Sequence, residues 1–576
     1  MKKIYFLFVI SIILVLSGCS KKALEVKKND FESFKININN LVENEMKKNK
    51  LVNISFILAD ENGEIWSNHY GYSDISNNAK ASGNSIYRIG SVSKVFTSLA
   101  VLQLYEKGLI NLNDPITKYI PDLKIKTRFE NDNITIKNVI MHNAGFISDV
   151  IENWFVEEPF ENIVNYLNEE YTINPPGYKF AYSNPGYDLL GILIQNVAGL
   201  KYDEYIKKNI FDVLEMKNTD VYPVNEEFYA KAFDKNKNQL LETRFRSVPA
   251  GLIHSTTEDM KNFIIMLLNK GVYNNNRLLN EETILEYSTI QNGNSLLDLD
   301  IKLGLGWFID DTITGSRVII HGGDTTYYHS MLKIDTENNI GVFVTSSSEN
   351  SASSVLKISQ ELIKNYLKYK GNEIIVPKRN DDFKYEKISE EEKTKISGYY
   401  SGEPGLIKVE SLRNNLKIDL MGNTLELSKR NDGLYQARYK ILFFPIKLKD
   451  VVFGFKEIDG HEVIYQILNN DMEILLGTKI EKPKDFIDIW KNRVGKYLPN
   501  FHNQTLAIEY FEITEKYGFL TGKVEIYGNT FFFPLKPISE IEAVVMGHGR
   551  NLGGTITYSE KNDVQYIQVF GSEFYN

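Results

Sequence analysis

A serine and a lysine three residues apart, on one face of a helix, are enough to begin nucleophilic acyl transfer: a hydroxyl to attack and an amine to take its proton. This spacing occurs three times here, at Ser91/Lys94, Ser330/Lys333 and Ser354/Lys357. The surroundings separate the three. In YRIGSVSKVFTSLAVLQLYEKG, Val92, Val95, Phe96, Leu99 and Leu102 form a helical stripe and Gly108 supplies a stop. Ser91 therefore falls at a helix start, where backbone N–H groups are free and an anion is favoured. Its own N–H can then serve an oxyanion hole, and a Lys94 desolvated one turn on can act as base. Ser330 lies in a strand-like run, where an offset of three turns Lys333 to the opposite face. Ser354 and Lys357 lie on a helix with no other motif nearby.

Two further segments carry candidate chemistry. In PPGYKFAYSNPGYDLLGILIQNVAG, Tyr182-Ser183-Asn184 reads as a turn before a helix from about Tyr187. From that turn a phenol can shuttle protons and an amide can hold a substrate carbonyl. In SRVIIHGGDTTYYHSMLKI, a buried strand ends in His321-Gly322-Gly323. Glycine there permits close approach of a ligand, and the N–H of Asp324 becomes a second oxyanion donor. Each segment alone also fits a plainer role: Ser91 as a helix cap, Tyr182 as a packing ring, His321 as a satisfied strand histidine.

Ser-x-x-Lys, Tyr-x-Asn and His-Gly-Gly in this order resemble the serine β-lactamase and penicillin-binding-protein hydrolases. The likeness is to the branch of class C β-lactamases, D-stereospecific peptidases and esterases. Further blocks extend it over about residues 31–370: TIKNVIMHNAGF, PAGLIHSTTEDMKNFIIMLLNKG, LGLGWFID and HGGDTTYYHSMLKIDTENNIGVFV. The resemblance implies an α+β fold, an antiparallel sheet flanked by helices with a helical subdomain. It implies Ser91 as nucleophile, Lys94 as base, Tyr182 in proton transfer to the leaving group and Asn184 in substrate positioning. The N–H groups of Ser91 and Asp324 would form the oxyanion hole, with His321 and Gly323 lining the substrate side. No metal or cofactor is implied. Many members carry Lys-Thr-Gly where this chain has His321-Gly322-Gly323, so a charged handle for a substrate carboxylate is missing. A charge-assisted bond lost there costs roughly 1.5–3 kcal/mol. His142 belongs to a block that the resemblance marks as structural. The implied substrates are small esters or amides and peptides containing D-amino acids, those of the cell wall included. A true β-lactamase is one alternative and a catalytically silent surface binding protein another. The completeness of the three motifs argues against silence.

The remaining chain must position and deliver this domain. At 576 residues it exceeds one core. A net charge of −9 argues against a nucleic-acid partner. Lys2 and Lys3 precede a largely apolar stretch, Ile4–Leu16, too short to span a membrane comfortably and suited to a signal peptide. Leu16-Ser17-Gly18-Cys19 follows, and Cys19 is the one cysteine. That arrangement resembles a bacterial lipobox, which implies lipidation of Cys19, removal of residues 1–19 as a signal peptide and an extracytoplasmic, membrane-anchored protein. Residues 20–30 read as a spacer, 31–48 as a helix, and the runs flanking Glu61-Asn62-Gly63 as a hairpin. Residues 371–395 read as a charged linker. Beyond them, Gly398-Tyr399-Tyr400 and Gly422-Asn423-Thr424 find echoes in Gly495-Lys496-Tyr497 and Gly528-Asn529-Thr530. The echoes predict two small all-β, barrel-like modules, 396–480 and 481–576.

Overall fold

The computed structural model describes residues 26–576 apart from 131–132, 151, 153–157, 223–225, 241–244, 376–381, 442–443, 469–470, 484–489, 501–507 and 527–528. Residues 1–19, expected to be a signal peptide ending at Cys19, lie outside the described residues.

The catalytic portion has an antiparallel eight-stranded sheet. Helix α1 (Phe31–Asn49), capped by Asp30, leads into β1 (Asn53–Asp60) and β2 (Gly63–Asp74), joined by a tight turn, and then the short β3 (Ala79–Lys80). The chain then builds helices α2 (Ser93–Glu106), α3 (Asn184–Ala198) and α4 (Thr257–Leu268). It returns to the sheet as β4 (Lys302–Leu303), β5 (Phe308–Asp310), β6 (Val318–Asp324), β7 (His329–Asp335) and β8 (Ile340–Ser346), and closes with α5 (Ala352–Lys370). The spatial order is β4-β5-β6-β7-β8-β1-β2-β3, so β1 sits between β8 and β2. Every residue of β7 and β8 is buried, because both faces of the sheet are covered. On one face Phe56, Val342 and Val344 pack with Phe34, Ile358 and Leu362 of α1 and α5. On the other, Ile57 and Phe343 join the core built around α2, α3 and α4.

Two closed eight-stranded barrels follow, the first from Gly398–Gly402 to Glu473–Ile480 and the second from Gly495–Pro499 to Ser572–Tyr575. Closure removes free sheet edges. The end of the charged segment is more ordered than its composition suggests. Ser389 caps a helix, Glu390–Ile396, whose Ile396, with Ile388, is buried in the first barrel's core. Among the described residues no helix is long and apolar enough to cross a membrane.

Candidate active site

The desolvation expected around Lys94 is complete, for Ser93 to Leu104 of α2 are all buried. Its polar residues are satisfied internally: Ser93 Oγ donates to the Gly90 carbonyl and Thr97 Oγ1 to that of Pro249, each at 2.7 Å. Lys94 is thereby carried into the interior, with 0% exposure. A departure from the sequence reading lies at Tyr182-Ser183-Asn184. The helix begins at Asn184 rather than near Tyr187, because Ser183 caps it by accepting the Gly186 N–H and Pro185 is tolerated in a first turn. Asn184 is thus held on a rigid helix end.

Ser91 lies in a single 3₁₀ turn, Gly90–Val92, that runs into α2. Gly90 has φ +55°, and a β-carbon on it would lie 2.8 Å from the Asp324 amide nitrogen. A β-carbon on Gly323 would lie 1.8 Å from the Ile89 carbonyl oxygen. The two glycines let the nucleophile's turn rest on β6, which brings the Asp324 amide against the turn that carries Ser91. An N–H from each can stabilise an oxyanion.

The Lys94 ammonium has three partners. Nζ donates to Asn184 Oδ1 and the Ala250 carbonyl, each at 2.7 Å, and to Ser91 Oγ at 3.2 Å. The two short partners are pure acceptors. A neutral amine has two N–H bonds, which they take, and its lone pair is left facing Ser91. Burial is the main reason Lys94 is lowered to about 7; Asp188 and Asp149 pull the other way and Arg550 adds to the lowering. The lysine can thus shed its proton near neutrality and accept another from Ser91.

Tyr182 is buried beside Ser91. Burial raises its phenol far above the ordinary range, only partly offset by the nearby Ser91 hydroxyl, so it stays protonated and works as a donor. His142, at φ +55°, stacks under the Tyr182 ring at 4.2 Å and accepts the Ser183 N–H at Nδ1, 3.0 Å. Burial, reinforced by Lys94, keeps it uncharged. Its place is to orient Tyr182. His321 is also neutral, lowered to about 3 by burial and then by Lys94. Its Nδ1 lies 2.8 Å from the Gly322 carbonyl, which can only accept. Nδ1 therefore carries the proton and Nε2 is left an acceptor.

The other two Ser-x-x-Lys pairs stand apart. Ser330 Oγ donates to the Ile89 carbonyl, and Lys333 is buried across the strand. Ser354 and Lys357 both bind Glu45, at 3.1 and 2.6 Å.

Four groups near the site went unnoticed in the sequence. The Ala250 carbonyl had no signal, since any residue supplies one. Asp188, one turn beyond Asn184, takes the Ser247 hydroxyl at 2.8 Å, and burial raises it to about 7. Asp149 accepts Asn184 Nδ2 at 2.5 Å and Arg550 Nη2 at 2.7 Å. Arg550 comes from the second barrel, and its glycine-rich setting, MGHGRNLGG, was the available hint of a close approach. Among the described residues no group of three or more His, Cys, Asp or Glu side chains could hold a metal ion.

Comparison with known proteins agrees with this geometry. The Beta-lactamase family matches residues 38–362, more than half of the chain. Protein flp of Staphylococcus aureus (strain MW2) is 29% identical over 324 residues, 53% of this chain and 62% of flp. The chain thus spans less than two thirds of that relative's length. Penicillin-binding protein 4* of Bacillus subtilis (strain 168) is 24% identical over 416 residues, 66% of this chain and 87% of that protein. Among solved structures, the octameric penicillin-binding protein homologue from Pyrococcus abyssi superposes with a TM-score of 0.53 at 20% identity, over 76% of this chain and 99% of its own. SurE superposes with a TM-score of 0.57 at 16% identity, over 77% of this chain and 100% of its own. These two likenesses establish the shared fold. With more than half of its length matching the family, the chain belongs to the beta-lactamase family of serine hydrolases.

Proposed function

We propose that the protein is an extracytoplasmic, lipid-anchored hydrolase that cleaves small uncharged esters and amides, peptides containing D-amino acids among them, through an acyl-enzyme on Ser91. The observation that carries this reading is the Lys94 Nζ, bonded to Ser91 Oγ at 3.2 Å and held by two acceptors at 2.7 Å. Ser91 Oγ attacks the substrate carbonyl carbon while its proton passes to Lys94. The N–H groups of Ser91 and Asp324 hold the oxyanion. Collapse breaks the bond to the leaving group, which takes its proton through Tyr182, and water then hydrolyses the ester on Ser91 by the reverse route. Preference for uncharged substrates follows from His321, neutral and with Nε2 an acceptor, which gives a substrate carboxylate no cationic partner. Penicillin-binding protein 4* among the relatives supports penicillin as a probe of this site.

The test is labelling of the full chain with a fluorophosphonate and with a fluorescent penicillin, the adduct located by mass spectrometry. An adduct on the Ser91 peptide, lost in Ser91→Ala, is expected; an adduct elsewhere, or full ester hydrolysis by Ser91→Ala, overturns the assignment. Anchoring rests on Leu16-Ser17-Gly18-Cys19 after an apolar stretch. Cys19→Ala should release the protein from the membrane fraction or leave its precursor uncleaved, and an unlipidated Cys19 in the cytosol would remove this part of the reading.

A further inference from the structure

The second barrel does more than follow the catalytic domain. Between its strands Glu542–Val545 and Thr555–Lys561, residues 546–554 reach across to the catalytic domain. Gly553, at φ +94°, lies so close to the Ile173 carbonyl that a β-carbon would sit 2.2 Å from that oxygen. Asn551 Oδ1 accepts the Ser148 N–H at 2.7 Å. Just before these anchors Arg550 extends over the Tyr182 ring, its guanidinium carbon 5.3 Å from the centroid. It donates from Nη2 to Asp149 Oδ2 at 2.7 Å and from Nε to Ser148 Oγ, and its side chain is 19% exposed. Ser148 Oγ in turn donates to the Tyr182 carbonyl at 2.5 Å.

The consequences for Lys94 are geometric and electrostatic. Asp149 Oδ1 takes Asn184 Nδ2, and an amide so held must point Oδ1 the other way, at Lys94. Asp149 is therefore what fixes the orientation of the Asn184 amide. Its carboxylate also favours a charged Lys94, and that works against a base. Arg550 holds Asp149 in place, neutralises it and adds a positive charge of its own.

We propose that Arg550, delivered by the second barrel, is a positioning residue of the catalytic site that acts on Lys94 through Asp149 and the Asn184 amide, so that the site is complete only with the barrel docked. The inference rests on the reading of Lys94 as the base for Ser91. The groups around Lys94 are Asp188 and Tyr187 from α3, Asp149 from the loop before it, Tyr182, His142, His321 from β6, and Arg550. Those around Arg550 are Asp149, Tyr182 and, from the first barrel, Glu403. Removing Arg550 takes away a cation and leaves Asp149 unneutralised, and both changes favour protonated Lys94. The acid limb of activity must then move to higher pH.

The experiment uses the full chain, with para-nitrophenyl acetate hydrolysis and fluorophosphonate labelling of Ser91 followed from pH 5 to 10. Arg550→Gln should shift the acid limb upward by roughly one pH unit, with the plateau rate at high pH largely recovered. Arg550→Lys, which keeps the charge, should restore most of the wild-type profile. Asp149→Asn should shift the limb the opposite way, and it carries the test together with Arg550→Lys if Arg550→Gln fails to fold. A uniform rate loss in Arg550→Gln with the limb unmoved overturns the inference, as does an Asp149→Asn shift in the same direction as Arg550→Gln. Wild-type protein unlabelled at Ser91 would overturn the hydrolase reading and this inference with it; labelled wild type with an unmoved limb overturns this inference alone.

Discussion

Ser330 and the nucleophile's turn are tied directly: Ser330 Oγ donates to the Ile89 carbonyl at 2.7 Å, two residues before Ser91. The same carbonyl is the atom that excludes a side chain at Gly323. The hydroxyl is thus a strut between β7 and the turn. Ser330→Ala should leave Ser91 as the labelled residue and lower stability by about 0.5–1.5 kcal/mol, the usual net worth of one hydrogen bond, because the Ile89 carbonyl keeps the Val92 N–H at 3.3 Å. Urea unfolding with a labelling assay alongside checks both; abolished labelling with unchanged stability would contradict the strut.

Lys94 links rate and stability through one proton. With Lys94 near 7, hydrolysis of an uncharged ester should climb with pH through a midpoint close to neutrality. Lys94→Ala and Tyr182→Phe should each lower the rate by roughly 10²–10⁴-fold. Because the folded value lies below the unfolded 10.5, burial of this charge disfavours folding fully below pH 7, and that effect fades as pH rises from about 7 to 10.5. Lys94→Met should therefore gain more stability over wild type at pH 6 than at pH 10, which paired melting curves would show.

Glu170 sits where the catalytic domain meets the second barrel, accepting the Gly571 N–H at 2.7 Å. Burial raises it to about 7, with the Gly571 and Gln568 bonds opposing. A carboxyl raised above its unfolded 4.5 holds its proton longer in the folded state, so its unfavourable effect grows as pH rises from about 4.5 to 7 and is complete above. Limited proteolysis should find the barrel more readily released at pH 8 than at pH 5. Glu170→Gln should flatten that difference.

Gly553 tests the same contact sterically. Valine there meets the Ile173 carbonyl and must also adopt a left-handed backbone, itself a penalty of about 1–2 kcal/mol. Gly553→Val should lift the loop, lower the melting temperature and move the acid limb of activity upward. An unchanged pH profile in a folded Gly553→Val protein would count against the loop's role.

The sequence made Ser91 and Lys94 readable because helical spacing is local and the apolar stripe fixes which face they share. The two β modules were readable because short stretches near Gly398 and Gly422 are echoed near Gly495 and Gly528. Asp149 and Arg550 were not, since neither carries a motif and 400 residues of chain separate the partners that give them meaning. The start of α3 was misplaced because Pro185 reads as a breaker, whereas in a first turn after a Ser183 cap it is compatible with helix. The burial of all of α2 depended on carbonyls from 249 and 250 arriving from a distant segment.

The central place of β1 has a bearing on how the chain is made. Ser55 pairs with His69 on one side and with Thr345 on the other. The first hairpin can close by itself, but the opposite edge of β1 must wait for β8. During that interval an apolar strand is open to foreign pairing, and the helices assembled meanwhile have no finished sheet to pack on. Long-range closure of this kind slows folding and exposes the partly folded chain to aggregation. The protein's yield in a host cell should therefore depend more on holding chaperones than on the stability of the finished molecule.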